Sequence, residues 1–131
     1  MTHNTEDLIK FRLEEADEAL SAAHLLLSQG MVRSAVNRAY YAMFYAVLAL
    51  LVKSQLKSSK HSGTIALFQR EYVGKGILEV KYSRLMRDLF AHRQRTDYRE
   101  FYIISEMKAT SLISEVESFI KEAKSILKAQ Q

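Results

Sequence analysis

The sequence predicts an all-α fold, an up-and-down four-helix bundle with one additional short helix, and three observations carry that expectation. Among 131 residues there is no proline and there are four glycines, where average usage of about 5% and about 7% would supply roughly six or seven prolines and nine glycines. A many-turned sandwich or barrel needs that punctuation, so an all-β fold is excluded on composition. Apolar residues recur at helical spacing through three long segments, which is the periodicity of helices that bury one face, and a fourth is apolar on every side. The segments follow one another after brief connections, and short connections join antiparallel neighbours. A chain of this length reads as one domain, residues 1–131, able to bury about two-thirds of its extended surface without staples.

The first helix is predicted over about 5–28. Thr5 stands where an N-cap belongs, Glu6 and Asp7 follow in the first turn, and Leu13, Ala16, Leu20, Ala23 and Leu27 mark one face. Gly30 follows where a left-handed closing residue belongs. A second helix is predicted from about Met31 to Leu56, polar-spotted at Arg33, Ser34, Asn37 and Arg38 and then apolar on every side. An all-round apolar helix must be covered by neighbours, so this one belongs at the centre. Between Lys57 and Gly76, three serines and three of the four glycines surround Ile65, Ala66, Leu67 and Phe68, which reads as a short helix near 62–72 between two loops. Ile77, Leu78, Tyr82, Leu85, Met86, Leu89 and Phe90 predict a helix over about 77–92, and the polar run Arg93 to Tyr98 (RQRTDY) is read as breaking it. Ala109, Leu112, Ile113, Val116, Phe119, Ile120, Ala123, Ile126 and Leu127 predict the last helix, about 102–128.

Composition also limits function. There is no cysteine, so no disulfide framework is possible, and a zinc site would have to come from four histidines and carboxylates alone. No metal or cofactor is expected: there is no Gly-rich phosphate loop, no HExxH pair and no Gly-x-Ser-x-Gly elbow. The first ten residues are polar and resemble no signal peptide. The longest uncharged apolar stretch, Ala39 to Val52, has 14 residues, against about 20 for a membrane span. The reading is a cytoplasmic protein with no membrane association. The net charge of +4 hides an uneven distribution: +6 over Lys53 to Glu100 and −2 over the remainder. A compact basic region suits a nucleotide or nucleic-acid partner, and equally suits a solvated face.

Three groups of residues carry possible chemistry. Asn37, Arg38, Tyr40 and Tyr41 interrupt the core-like second helix, and buried hydroxyls and guanidiniums need partners. Either Arg38 pairs with a carboxylate such as Asp97 while the tyrosines cap the core, or Arg38 faces a cleft and contacts phosphate. Arg87, Asp88 and His92 form the second group. Metal-free RNA cleavage needs a proton acceptor for the ribose 2′-hydroxyl and a cation for the phosphorane, roles that His and Arg suit. Five steps of a regular helix separate Arg87 and His92 by about 140°, so they converge only where the helix ends or where a second subunit completes the site. Arg93, Arg95, Asp97 and Tyr98 form the third group, displayed in a loop or helix end, with an Arg93–Asp97 clamp as its structural reading. His3 and His24 look incidental.

These residues resemble the HEPN domain family (higher eukaryotes and prokaryotes nucleotide-binding), in its small prokaryotic stand-alone branch. The run Ser34 to Leu51 (SAVNRAYYAMFYAVLALL) is similar to the family's second-helix signature, Lys60 to Gly63 (KHSG) with Phe68 to its next block, and Arg93, Asp97 and Tyr98 to its last. The resemblance implies a five-helix bundle, commonly a homodimer, that works beside a nucleotidyltransferase or as a ribonuclease toxin. Ribonuclease members of the family place four to six residues between an Arg and a His, and Arg87 to His92 fits that spacing; many add a Tyr two residues on, where this chain has Gln94. Two functions follow as expectations. One is a nucleotide-binding or toxin–antitoxin module with Arg38, Tyr41, His61, Arg93, Asp97 and Tyr98 lining a cleft for a nucleotide or RNA. The other is a metal-independent endoribonuclease using Arg87 and His92. A helical dimerisation scaffold is the third reading.

Overall fold

The computed structural model describes residues 3–98 and 103–129, without the side chains of residues 3 and 96–98. Five helices follow in order: α1 (His3–Ser28), α2 (Val32–Lys53), α3 (His61–Phe68), α4 (Val80–Tyr98) and α5 (Glu106–Ala129). A single π-helical turn, Gln69–Val73, extends α3. No strand occurs among the described residues, so the all-α expectation holds.

Helix α2 packs against α1, α3, α4 and α5, and its contact with α1 is the most extensive in the fold. Small side chains make that contact possible. Ala16, Ala19 and Ala23 of α1 and Ala35, Ala39, Ala42, Ala46 and Ala49 of α2 are all fully buried, and side chains this small bring helix axes toward the short end of the usual ~8–10 Å. By length and composition α2 is apolar enough to cross a membrane, yet two-thirds of its most apolar window, 67%, is buried within its own chain. It is a core helix, as read. The predicted face of α5 is buried from Ala109 to Leu127, with Ile126 half-buried. Phe119 of α5 meets Phe68 of α3 and Tyr82 of α4 edge-on, at 5.6 and 5.2 Å between ring centroids.

Three helical segments end by the same device, in which a residue with positive φ turns the chain and two backbone N–H groups reach back to orphan carbonyls. After α1, Gly30 has φ 77°, its N–H donates to Leu27 at 3.0 Å, and that of Met31 donates to Leu26 at 2.9 Å. The π turn closes likewise at Gly76, with Ile77 N–H donating to Tyr72. After α2 the left-handed residue is Gln55, with φ 59°, and Leu56 N–H donates to Leu51 at 2.9 Å. Helix α2 therefore stops at Lys53 rather than at Leu56, because Leu56 serves the closing bond.

Five other boundaries differ from the sequence reading. Helix α1 is already helical at His3, so Thr5 lies within its first turn instead of capping it. The short helix begins one residue early, at His61, and its second half is the π turn, whose wide i→i+5 bond runs from Gly74 N–H to Gln69 at 2.7 Å. Buried Tyr72 anchors that turn, donating to the Leu50 carbonyl at 2.6 Å and meeting the Ser54 hydroxyl. Helix α4 starts at Val80, because Ile77 and Leu78 are still bonded back to Tyr72. Its far end overturns an expectation: the run Arg93 to Tyr98 does not break α4 but continues it. Losing apolar residues removes only the buried face, while Arg and Gln are good helix formers and no Gly or Pro intervenes. Helix α5 starts at Glu106, capped by Ser105, whose hydroxyl accepts from Lys108 N–H at 3.0 Å. His24, read as incidental, pairs with Glu117 of α5 at 2.9 Å, and Asp17 pairs with Lys124 at 2.8 Å.

Candidate functional site

The three sequence blocks around Arg38–Tyr41, His61 and Arg93 meet at one place. Tyr40 is fully buried on α2, packed against Phe44 and Phe90 at 5.7 and 6.1 Å between centroids. Its hydroxyl lies 2.7 Å from Nδ1 of His61, the first residue of α3. The imidazole also stacks on Phe44, at 4.2 Å and 18° between planes. Phe44 follows Tyr40 by four residues, so both rings share a helix face and together hold the histidine. Gly63 of the KHSG block allows the chain to arrive there, because a Cβ on Gly63 would collide with the side chain of Ser58.

The charged half of the site is built on Tyr41. Arg93 of α4 donates from Nε to the Tyr41 hydroxyl at 3.2 Å. Its guanidinium carbon sits 5.6 Å from the Tyr41 ring centroid and 5.4 Å from that of Tyr40. Arg38, one turn before Tyr41 on α2, places its guanidinium carbon 5.7 Å from the Tyr41 centroid. Both distances lie within the ~6 Å at which a cation is attracted to a ring face. The two cations are thus no farther apart than the sum of those distances, about 11 Å. Among the described residues no carboxylate pairs with Arg38, so its structural reading is not supported by any described partner.

Burial tunes the titratable groups. It pushes the Tyr40 phenol well above its ordinary value, with Arg93 pulling the other way, so the phenol stays protonated. Burial, helped by Arg93, holds His61 below the ordinary 6.5, which makes the ring neutral near pH 7. The site consequently offers two guanidiniums and a neutral imidazole, each with hydrogen to donate to phosphate oxygens, while the fully buried Tyr40 phenol faces His61.

Of the residues singled out in the sequence, Arg38, Tyr41, His61 and Arg93 come together here. Asp97 and Tyr98 belong to α4 by backbone, but their side chains lie outside the described residues. Arg87 is exposed and His92 half-buried on the same unbroken helix. Because α4 does not end between them, the ~140° separation of a regular helix stands within one chain. Asp88 faces α5, 3.5 Å from Lys108 Nζ. His92 is held below its ordinary value by burial, with Asp88 opposing and Lys108 and Arg95 assisting. Among the described residues no three His, Asp or Glu side chains gather as metal ligands. Sequence reasoning placed Tyr40 as a cap on the core and passed over Phe44; the signal available was their spacing of four residues, which marks a common face.

Comparison with known proteins identifies the family. The HEPN domain model matches residues 9–126. A UPF0332 protein of Thermotoga maritima is 39% identical over 115 residues, covering 88% of this chain and 87% of that protein. A protein of Methanocaldococcus jannaschii named "Putative toxin MJ0605" is 38% identical over 120 residues, covering 92% and 89%. Another from the same organism, named "Putative toxin MJ0142", is 30% identical over 115 residues, covering 88% and 78%. With described residues of each block, Arg38 and Tyr41, His61 and Arg93, gathered at one site on five helices and a family match over residues 9–126, the chain belongs to the HEPN domain family.

Proposed function

We propose that the chain is a nucleotide-binding HEPN module of the toxin–antitoxin type, a homodimer that works with a nucleotidyltransferase partner, and that Arg38, Tyr41, His61 and Arg93 receive phosphate groups. One observation carries the reading: two guanidiniums gather at the ring of Tyr41, and one of them, Arg38, has no carboxylate partner among the described residues. Planar guanidinium forks match phosphate oxygens in pairs, which an ammonium does not. The names of the toxin relatives support the setting, and the resemblance to the family supports the partner. Calorimetric titration with AMP, ATP and a short RNA tests it. Binding is expected, and Arg38→Ala and Arg93→Ala should each weaken it; no binding to the protein, alone or with a nucleotidyltransferase, refutes it.

A second reading is a metal-independent endoribonuclease with Arg87 on the scissile phosphate and His92 as general base. Burial favours it by keeping His92 unprotonated near pH 7, as a base must be. A second copy of the chain would have to bring the two side chains to one groove. RNA cleavage in the presence of a chelator, lost in Arg87→Ala and in His92→Ala, supports this reading, and cleavage retained in both variants sinks it. A chain that dimerises without binding or cutting leaves the scaffold reading.

A further inference from the structure

The hydrogen bond between Tyr40 and His61 has a direction, and its surroundings decide which. Tyr40 is fully buried, and among the described residues its hydroxyl has one hydrogen-bonding neighbour, Nδ1 of His61 at 2.7 Å. If Nδ1 carried a proton and the phenol accepted it, the phenol's own hydrogen would lie in the core without an acceptor. A buried donor left unmade loses its water and gains nothing in return. The same orphan arises if His61 becomes an imidazolium, since Nδ1–H then donates as well. Only the arrangement in which the phenol donates to a bare Nδ1 pairs every buried hydrogen, and it puts the imidazole proton on Nε2.

The other edge of the ring is open. His61 is half-buried, and among the described residues Nε2 has no hydrogen-bond partner. The groups facing the ring from its neighbours are Tyr40 and Tyr41 of α2 and Arg93 of α4. None is a carboxylate that would draw a second proton onto it.

We propose that Tyr40 is a positioning residue: by donating to Nδ1 it holds His61 as the Nε2–H tautomer, so that the ring offers a phosphate oxygen a hydrogen-bond donor rather than a base. The identity of the ligand rests on the function proposed above; the tautomer does not. The downward displacement of the His61 pKa agrees with a ring held neutral. A site arranged this way takes hold of an anion and does not abstract a proton through His61, which assigns this cluster to binding.

Nitrogen-15 NMR of the ligand-free protein, at a pH above the ordinary histidine value of 6.5, reads the tautomer directly. His61 should show an unprotonated Nδ1 and a protonated Nε2, and Tyr40→Phe, which keeps the ring packing, should turn this into a mixture. A protonated Nδ1 in the unaltered protein, or an unchanged pattern in Tyr40→Phe, overturns the assignment. In calorimetry with AMP, Tyr40→Phe should weaken binding about two- to tenfold, the worth of one hydrogen bond. In a His61→Gln background the same change should have no further effect, and additive losses would overturn the coupling. If AMP, ATP and a short RNA all fail to bind the unaltered protein, alone and with a nucleotidyltransferase, the proposed function falls, while the nitrogen signals still decide the role of Tyr40.

Discussion

Replacing Arg38 by alanine separates a ligand contact from a structural one, because the surroundings of Arg38 make the two costs different in size. A charge-assisted hydrogen bond to phosphate contributes about 1.5–3 kcal/mol, so its loss should raise the Kd for AMP about tenfold to 150-fold. The cost to the fold is smaller. Arg38 is half-buried and has one cation–ring contact, at 5.7 Å from Tyr41, worth about 0.5–1 kcal/mol, and no described carboxylate is stranded by its removal. The thermal denaturation midpoint should therefore fall by only about 2–4 °C for a chain of this size. Arg38→Lys should fall between, since it keeps the charge but loses the fork. Lys121, whose side chain is 77% exposed on α5, serves as a charge-matched control that should change neither quantity. Two results refute the reasoning. Equal weakening by Lys121→Ala would mean that diffuse positive charge attracts the nucleotide, and a large stability loss with unchanged affinity would make Arg38 a structural residue.

Two further expectations concern stability. Gln55 holds a left-handed conformation that costs a residue with a Cβ about 1–2 kcal/mol, partly offset in the unfolded chain by the freedom glycine gains there. Gln55→Gly should accordingly stabilise the protein by a few tenths to about 1 kcal/mol, read as a rise in the urea midpoint; a lower midpoint would show that the Gln side chain matters. The second expectation follows from His61 and His92, both held below the ordinary 6.5 by burial. As pH falls below that value the unfolded chain takes up protons before the folded one, so their contribution is complete above about pH 6.5 and is lost as pH decreases toward the folded values. Urea midpoints compared at about pH 7.5 and about pH 5.5 should fall, less so in His61→Gln; a midpoint that rises on acidification contradicts the burial argument.

Much of the bundle could be read from periodicity because burial on one face imposes it. The stripe from Ala109 to Leu127 on α5 and the left-handed Gly30 after α1 are both where the residues placed them. The end of α4 was not legible in the same way. Apolar spacing stops at Phe90, and helix continuation beyond it depends on backbone propensity, which leaves no stripe. Yet that continuation is what carries Arg93 to Tyr41, so a group expected on a loop is displayed on a rigid element. The π turn was hidden because its cause is long-range: Tyr72 reaches the end of α2, 22 residues earlier in the chain. In the site, Arg38, Tyr41, His61 and Arg93 were recognisable as polar groups in unusual company. Tyr40 stood out with them, but its role did not, since a fully buried tyrosine reads as a cap on the core until its one described hydrogen-bonding neighbour, His61, is known.

The all-round enclosure of α2 also bears on how this chain can vary. Twelve of its 22 residues are buried, and only Arg33 and Ser34 are exposed. Substitutions along this helix have almost no neutral surface on which to accumulate, because larger residues wedge its alanine contacts and smaller ones leave cavities. Arg38, Tyr40, Tyr41 and Phe44 of the site are embedded in that intolerant helix. Random loss-of-function changes in α2 will therefore mostly report misfolding, and a screen that selects on abundance as well as activity is needed to see the site. Half-buried Arg38 and Tyr41 are the positions on this helix where activity can fail while the protein still accumulates.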